Sequence, residues 1–476
     1  MPDSAISGPL TPPSPPAGAG EGEKVGRRGL WNQPREACKG GEALHRIVVV
    51  GGGAAGLELV TRLGDRLGRR RRATITLVES ARTHLWKPLL HEAAAGSIDP
   101  GEFEVNYLAQ AHWHGFRYRF GEMIGIDRSA KEVHLAATFD DEGRQITPPQ
   151  SVGYDTLVIA IGSITNDFGT PGVAEHAVPL ETPAQAARFN RRLVNACIRA
   201  QTQDGPVRPG QLHVAIVGAG ATGAELAAEV HRTTREVVAY GLDRIDPERD
   251  IRIVLIEAAD RILPGLPDRI SEAARRLLDR MGIEVHTGAK VTEVTADGLR
   301  LADGSFIASE LVVWAAGVKA SEVLRRADGL EVNRINQLVV EPTLQTTRDP
   351  DIFAIGDCAA CPRQDEPTPV PPRAQAAHQE AAHMLRQIER RLRGGSLLPY
   401  TYRDFGSLVA LGKHSTVGNL MGLFGRGFFI EGLFAGVMYR SLRTLHERAL
   451  HGTPRALLGL LARALSRRTG PPVKLH

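Results

Sequence analysis

The chain has 476 residues, 42% of them hydrophobic and 24% charged, with a net charge of +4. That length holds two or three ordinary domains, and that composition excludes a disordered chain. Its four cysteines (Cys38, Cys197, Cys358 and Cys361) exclude a disulfide scaffold and point to a reducing compartment. The charge is unevenly spread: from Met421 to His476 nine Arg and Lys face two Glu, a local +7 that leaves −3 on the other 420 residues. A basic tail on a near-neutral body asks for an anionic partner, either a lipid surface or nucleic acid. No stretch reaches the roughly 18 uncharged apolar residues of a membrane-spanning helix.

Residues 1–44 are rich in Pro, Gly and Ala and lack the apolar core of a signal peptide, so they read as a disordered extension or as the product of an upstream start codon. Regular structure is expected to begin at His45-Arg-Ile-Val-Val-Val-Gly51, a β-branched run that meets a glycine cluster. Ala73–Glu79 is a second strand, and the helix between the two completes a βαβ unit. The quartet Arg69–Arg72 falls in the turn of that unit, has no aromatic partners, and reads as a solvated face, not a nucleic-acid site. Leu212–Gly218 and Ile251–Glu257 begin a second such unit about 170 residues on. Asp155–Ala160 and Glu310–Trp314 read as buried strands that close the two domains, and Ile352–Ile355 as a further strand entering Gly356-Asp357. Beyond Leu411 the pattern reads as amphipathic helices without strands. One apolar stripe runs Ile430, Leu433, Phe434, Val437, Ser441, Leu442 and Leu445. After Gly452-Thr-Pro454 a second runs Leu457, Leu458, Leu461 and Leu465, with Arg455, Arg463, Arg467 and Arg468 on other faces. Two basic amphipathic helices in tandem suit a membrane surface, with docking onto the body or a dimer as the alternative.

Each βαβ unit carries a Gly-x-Gly-x-x-Gly between strand and helix. In Gly51-Gly52-Gly53-Ala54-Ala55-Gly56 the first glycine permits the turn, the second lets a pyrophosphate reach the backbone, and the third packs helix on strand. Glu79, ending the next strand, can hold ribose hydroxyls. Gly218, Gly220 and Gly223 repeat the pattern with Glu257 as the acid, 39 residues beyond Gly218, which implies a lengthened helix and loop over Thr233–Asp250. A carboxylate there repels a 2′-phosphate and favours NADH over NADPH, although Arg261 leaves this open. Spacing alone reads Gln375 and Gln379, one turn apart, as a solvated helix face, and Glu229 as a helix-surface acid. Cys358-x-x-Cys361 cannot complete a tetrahedral metal site by itself.

The order of these motifs resembles the two-dinucleotide-binding flavoprotein superfamily, in which the first site takes FAD and the second NAD(P)H. Thr346–Cys358 is similar to its second FAD motif, and Tyr154–Gly162 to its linking motif, with Ile161 where Thr is common. More narrowly, His84-Leu-Trp-Lys-Pro-Leu-Leu-His-Glu92, Val313–Gly317, Pro371–Gln379 and Gly406-Ser-Leu-Val409 resemble the type II NADH:quinone oxidoreductases, closest to the short enterobacterial form. The likeness covers almost all of His45–His476. It implies an α/β fold of two Rossmann-like dinucleotide-binding domains with a C-terminal amphipathic membrane-binding region. The segments would be 45–165 (FAD, first part), 166–324 (NADH), 325–410 (FAD, second part) and 411–476 (membrane-associating).

The same resemblance implies NADH oxidation through FAD to membrane quinone without proton pumping, at the cytoplasmic face of a bacterial inner membrane, with homodimerisation open. Cofactor contacts would fall on Gly51, Gly53, Ala54, Ala55, Gly56, Glu79, Lys87, Gly162, Gly356, Asp357 and Ala374, where Asp357 takes the ribityl chain. For NADH they would fall on Gly218, Gly220, Gly223, Glu257 and Gly317. Gln375 would lie at the flavin ring, Gln379 at the quinone, and Glu229 near nicotinamide and quinone. Lys413 would stand at the quinone entrance, unless it is a surface lysine. A sulfide:quinone reductase would need reactive cysteines at the flavin and no intact NADH site. A non-enzymatic NADH sensor would keep both nucleotide sites, and the sequence leaves it open.

Overall fold

The structure is a computed structural model that describes residues 43–363, 366–411, 416–421, 427–431, 433–466 and 473. The expected extension over residues 1–44 lies outside the described residues apart from Ala43 and Leu44, and Lys413 lies outside them too.

The first unit opens with β1 (His45–Val50), α1 (Ala54–Leu63) and β2 (Ala73–Glu79), with β2 parallel to β1 and Ile47 opposite Ile75. Two short helices, α2 (Leu90–Ala95) and α3 (Tyr107–His114), precede the edge strand β3 (Arg117–Phe120). β4 (Thr156–Ile159) then inserts on the other side of β1, with Ile47 opposite Thr156. Ile47, Val49, Leu77 and Leu157 are fully buried. Their continuous β-branched and leucine runs satisfy a parallel sheet, which is covered on both faces.

The second unit follows: β5 (Ala177–Pro179), α4 (Pro183–Thr202), β6 (His213–Val217), α5 (Ala221–Ala239), β7 (Arg252–Ile256), β8 (Glu284–His286) and β9 (Leu311–Trp314). Its sheet runs β5-β9-β6-β7-β8. The long α5, 19 residues against 10 in α1, and the loop after it account for the distant acid of the second motif. The chain then returns to the first sheet as β10 (Asp349–Ala354), beside β4. That sheet reads Gln345–Thr346, β10, β4, β1, β2, β3. The two crossings between units are joined where Ile164–Thr165 pairs with Val318–Lys319. α6 (Ala374–Arg391) packs along α1.

Beyond Leu411 the expectation of helices alone is overturned by two strands, which join a third that ends at Ala410. β11 (Gly406–Ala410), β12 (Thr416–Met421) and β13 (Gly427–Glu431) form an antiparallel sheet before α7 (Leu433–His451) and α8 (Thr453–Ser466) begin. Ile430, read as the head of a helical stripe, instead pairs with Gly418 in this sheet. Two runs of good strand formers, Thr416-Val417 and Phe428-Phe429-Ile430, were too short and too glycine-punctuated for alternation to register beside a strong helical period.

Candidate active site

The two glycine loops are built alike. Gly51 adopts φ +103° and Gly218 φ +100°, a region closed to most side chains. A Cβ at Gly51 would stand 2.3 Å from the carbonyl oxygen of Ala160, and one at Gly56 would stand 1.9 Å from that of Gly51. Helix α1 therefore starts hard against the turn. Gly53 and Gly220, the N-caps of α1 and α5, have open space where a Cβ would be. No side chain caps either helix, so the first-turn amides of α1, on Ala54 and Ala55, face the mouth of the loop together with the positive end of the dipole.

Each acid grips its own loop. Glu79 Oε2 accepts from the Gly52 amide at 2.6 Å, and its Oε1 from Ser80 and Ala81 at 2.8 and 3.0 Å. Glu257 repeats this, with Ala219 at 2.8 Å and Ala259 at 2.9 Å. Arg261 turns away: its guanidinium donates to the carbonyls of Leu266 and Pro264 and pairs with Asp268 at 2.8 Å. The cradle, the open helix N-terminus and the oriented acid fit a dinucleotide at both loops.

Three distant segments meet beside the first loop. Lys87 Nζ donates 2.8 Å to the carbonyl of Ser163, and Ser163 Oγ donates 2.8 Å to Asp357 Oδ2. Gly162 and Gly356, flanking this junction, both have φ just above +70°. Beneath it lies a group the sequence reading missed. Glu380 of α6 is fully buried and accepts a hydrogen bond from the Gly356 amide. Burial, reinforced by nearby Asp357, pushes its carboxyl up to about 8. It is therefore a neutral acid at neutral pH.

Gln375 and Gln379 are not a solvated face. Gln375 Nε2 donates to Asp404 Oδ1 and the Gly406 carbonyl at 3.1 Å each, while its Oε1 accepts from the Phe405 amide. Gln379 takes both the carbonyl and the amide of Arg403, at 2.8 and 3.0 Å. The two amides pin residues 403–406, and with them the start of β11, to α6 just beyond Ala374. The far end of β11 is held from the other unit. Glu225, a buried residue in the first turn of α5, accepts from the Ala410 amide at 3.0 Å and faces His91 Nδ1 at 3.5 Å. Glu225 was also missed, although its place two residues after Gly223 was a signal.

Glu229, one turn further along α5, accepts from Ser97 Oγ and pairs with Arg232 at 2.6 Å. Burial raises its pKa, but the Arg232 and Ser97 bonds outweigh that and leave it below the usual value. It is held ionised, an acceptor and not a proton store. Gly317, with φ +65°, accepts from the Asn166 amide at the crossing between units.

Cys358 and Cys361 are buried, and that burial pushes both thiols up to about 12. The Cys358 Sγ is directed at the carbonyls of Ile159 and Ile355. They are packing groups, not the reactive cysteines a sulfide oxidoreductase requires. Among the described residues no His, Cys, Asp and Glu cluster could hold a metal ion, and no helix is long and apolar enough to cross a membrane. Arg69–Arg72 are exposed in their turn, as expected.

Residues 45–381 match the family described as pyridine nucleotide-disulphide oxidoreductase. A type II NADH:quinone oxidoreductase of Haemophilus influenzae is 42% identical over 446 residues, covering 91% of this chain and 100% of its own. One from Mycobacterium tuberculosis is 30% identical over 399 residues, 81% of each chain. The solved structure of NDH2 from Plasmodium falciparum in complex with NADH is similar with a TM-score of 0.76 at 17% identity, over 90% of this chain and 100% of that one. The sulfide:quinone oxidoreductase of Aquifex aeolicus shares the fold at a TM-score of 0.66 and 17% identity, over 86% and 92% of the two chains.

Proposed function

We propose a division of labour for this chain, which belongs to the type II NADH:quinone oxidoreductases within the pyridine nucleotide-disulphide oxidoreductase family: FAD at the Gly51 loop, NADH at the Gly218 loop, and quinone on the α6–β11 side. The chain is an oxidoreductase that oxidises NADH and reduces quinone. In balance, NADH, one proton and a quinone give NAD⁺ and a quinol. The observation that carries the two-site reading is the matched construction of the two loops, each with its acid bonded to the loop amides.

Bound FAD would supply the two-electron carrier between the substrates. The residues of the chain bind and orient. Glu79 and Glu257 would take ribose hydroxyls while holding their loops, and Asp357, aligned by Ser163 and Lys87, would take the ribityl chain. Arg261, already paired with Asp268, leaves Glu257 as the charge facing a ribose, which supports NADH over NADPH. Gln375 and Gln379 act on the quinone side by fixing residues 403–406. Glu229, ionised and paired with Arg232, would act as a fixed hydrogen-bond acceptor, and the needed proton would come from solvent. Turnover proceeds without proton pumping, as the resemblance implies, and rests on placement.

The protein attaches peripherally, at the cytoplasmic face of a bacterial inner membrane where NADH and quinone meet. The exposed Leu457, Leu458 and Leu461 of α8, beside a tail of net +7, support this. The deciding experiment is steady-state NADH oxidation by purified protein with a short soluble quinone, the flavin being identified by its absorbance spectrum. Equal consumption of NADH and quinone over many turnovers is expected. A single reduction followed by a stall would make the protein a sensor.

Glu257→Gln is expected to raise the KM for NADH by about ten-fold, from a weakened charged hydrogen bond, and to narrow the preference over NADPH. Efficiencies with the two coenzymes that keep their wild-type ratio would remove Glu257 from the ribose. Gln379→Leu, which frees both backbone groups of Arg403, is expected to slow quinone reduction by about ten-fold while NADH consumption in the first half-reaction changes little. Stopped-flow measurement of the two halves checks this, and equal losses would assign Gln379 to the nucleotide side.

A further inference from the structure

One large aromatic outside the tail stands open beside it. Trp113, on the last turn of α3, is 46% exposed. The guanidinium of Arg455, in the first turn of α8, lies over its ring at 5.6 Å, a cation–π contact between the body and the tail. Three residues back on α3, Gln110 Nε2 donates 2.9 Å to the Leu450 carbonyl near the end of α7. α3 is thus fastened to the tail helices at two points.

Both helices that make that contact also carry exposed leucines. Leu457, Leu458 and Leu461 of α8 are exposed, as is Leu108 on the first turn of α3. A monomer in water has no use for so many uncovered leucines and an uncovered indole on two helices in contact. A bilayer boundary does: an indole presents a broad apolar ring to acyl chains and its N–H to the carbonyl and phosphate layer. The adjacent guanidinium and the net +7 of the tail match an anionic headgroup layer.

We propose that α3 is a second membrane contact beside α8, with Trp113 at the headgroup level of an anionic bilayer and Arg455 between the indole and lipid phosphates. This rests on the membrane reading of the tail and adds the orientation of the body. Tyr107, the first residue of α3, is buried and donates its hydroxyl to the Gly52 carbonyl at 2.8 Å. The first glycine loop is therefore coupled to the lipid through one short helix, so its distance from the membrane plane is set by α3.

Trp86 and Trp314 are buried, and the fourth tryptophan, Trp31, lies outside the described residues, so full-length Trp31→Phe protein reports Trp113 as the exposed indole. The probe is a vesicle of phosphatidylglycerol and phosphatidylethanolamine, with or without brominated acyl chains. Bromination is expected to quench the emission of Trp31→Phe protein and to leave the Trp31→Phe, Trp113→Phe protein nearly unaffected. Trp113→Ser should lower vesicle partitioning about ten-fold, the value of burying a large apolar side chain. Binding with no difference in quenching between the two proteins would turn α3 to water and leave the tail's membrane reading standing. Failure to bind vesicles at all would overturn both. A Trp113 signal that follows protein concentration and ignores lipid would make the patch a contact between copies.

Discussion

Ending the chain after Gly452 is expected to release the protein from anionic vesicles with its flavin retained, whereas ending it after Glu431 is expected to lose the flavin as well. The difference lies in what α7 and α8 face. His446 of α7 is buried against the first unit, its Nε2 3.1 Å from His84 Nε2, its ring stacked 5.8 Å from Trp86 and edge-on to His378 at 5.3 Å. Leu450 is 1% exposed within the core around β1 and α1, and the Arg443 guanidinium lies 4.8 Å over Phe103. Removing α7 uncovers the helix that starts at the first glycine loop, with each lost leucine-sized contact worth about 2 kcal/mol. A cut after Val417 would divide β12 and test nothing cleanly.

In α8 Leu457, Leu458, Leu460 and Leu461 are exposed and Ala456 is buried. Five basic residues follow Gly452 (Arg455, Arg463, Arg467, Arg468 and Lys474), worth about 1 kcal/mol each at an anionic surface. Their loss alone should weaken vesicle binding by roughly 10³- to 10⁴-fold. Sedimentation with vesicles and flavin absorbance after gel filtration read both outcomes. Because the shorter cut also removes Val473, which is buried against α4 and α5, Leu457→Ser with Leu458→Ser in the full chain provides the independent check. Truncated protein that still sediments with vesicles would sink the membrane role of α8.

The second large effect belongs to Glu380. A carboxyl pushed up to about 8 in the folded protein, against about 4.3 unfolded, is protonated in the native state where the unfolded chain has lost its proton. The native state then binds more protons between these values, so stability falls as pH rises from about 4.5 to 8 and levels off above. The group is fully buried, and the loss across that window is of the order of a few kcal/mol. Glu380→Gln, a neutral isostere that can still accept from the Gly356 amide, should flatten this slope and be more heat-stable than wild type at pH 8. Glu380→Ala leaves the amide unpaired, at about 1–3 kcal/mol, and should loosen the flavin. Thermal unfolding followed by flavin fluorescence between pH 5 and 9 decides it. Parallel slopes in wild type and Glu380→Gln would mean that Glu380 is ionised in the folded protein.

The parts whose information is contiguous along the chain were legible before any folding. Strands β1, β2, β6 and β7 announce themselves because a parallel strand buried on both faces must be apolar at every position. The two loops and their acids are legible because a nucleotide-binding turn constrains glycine within six residues and places its acid at the next strand end. The family likeness followed from such short motifs. What the sequence did not determine is who partners whom. Gln375 and Gln379 read as a solvated face because nothing local says that residues 403–406 will fold back onto α6. Glu225 meets Ala410 across 185 residues and His84 meets His446 across 362, so no window could join them. Glu380 and Glu229 look alike as helix acids. One became a neutral buried acid and the other an ionised pair, because desolvation and the nearest guanidinium are properties of packing and not of composition. The tail shows the same division: helical period was written locally, but that His446 and Leu450 of α7 would be buried against the body, and Leu445 of α7 and Leu457, Leu458 and Leu461 of α8 left exposed, was decided only by the surface the body offered.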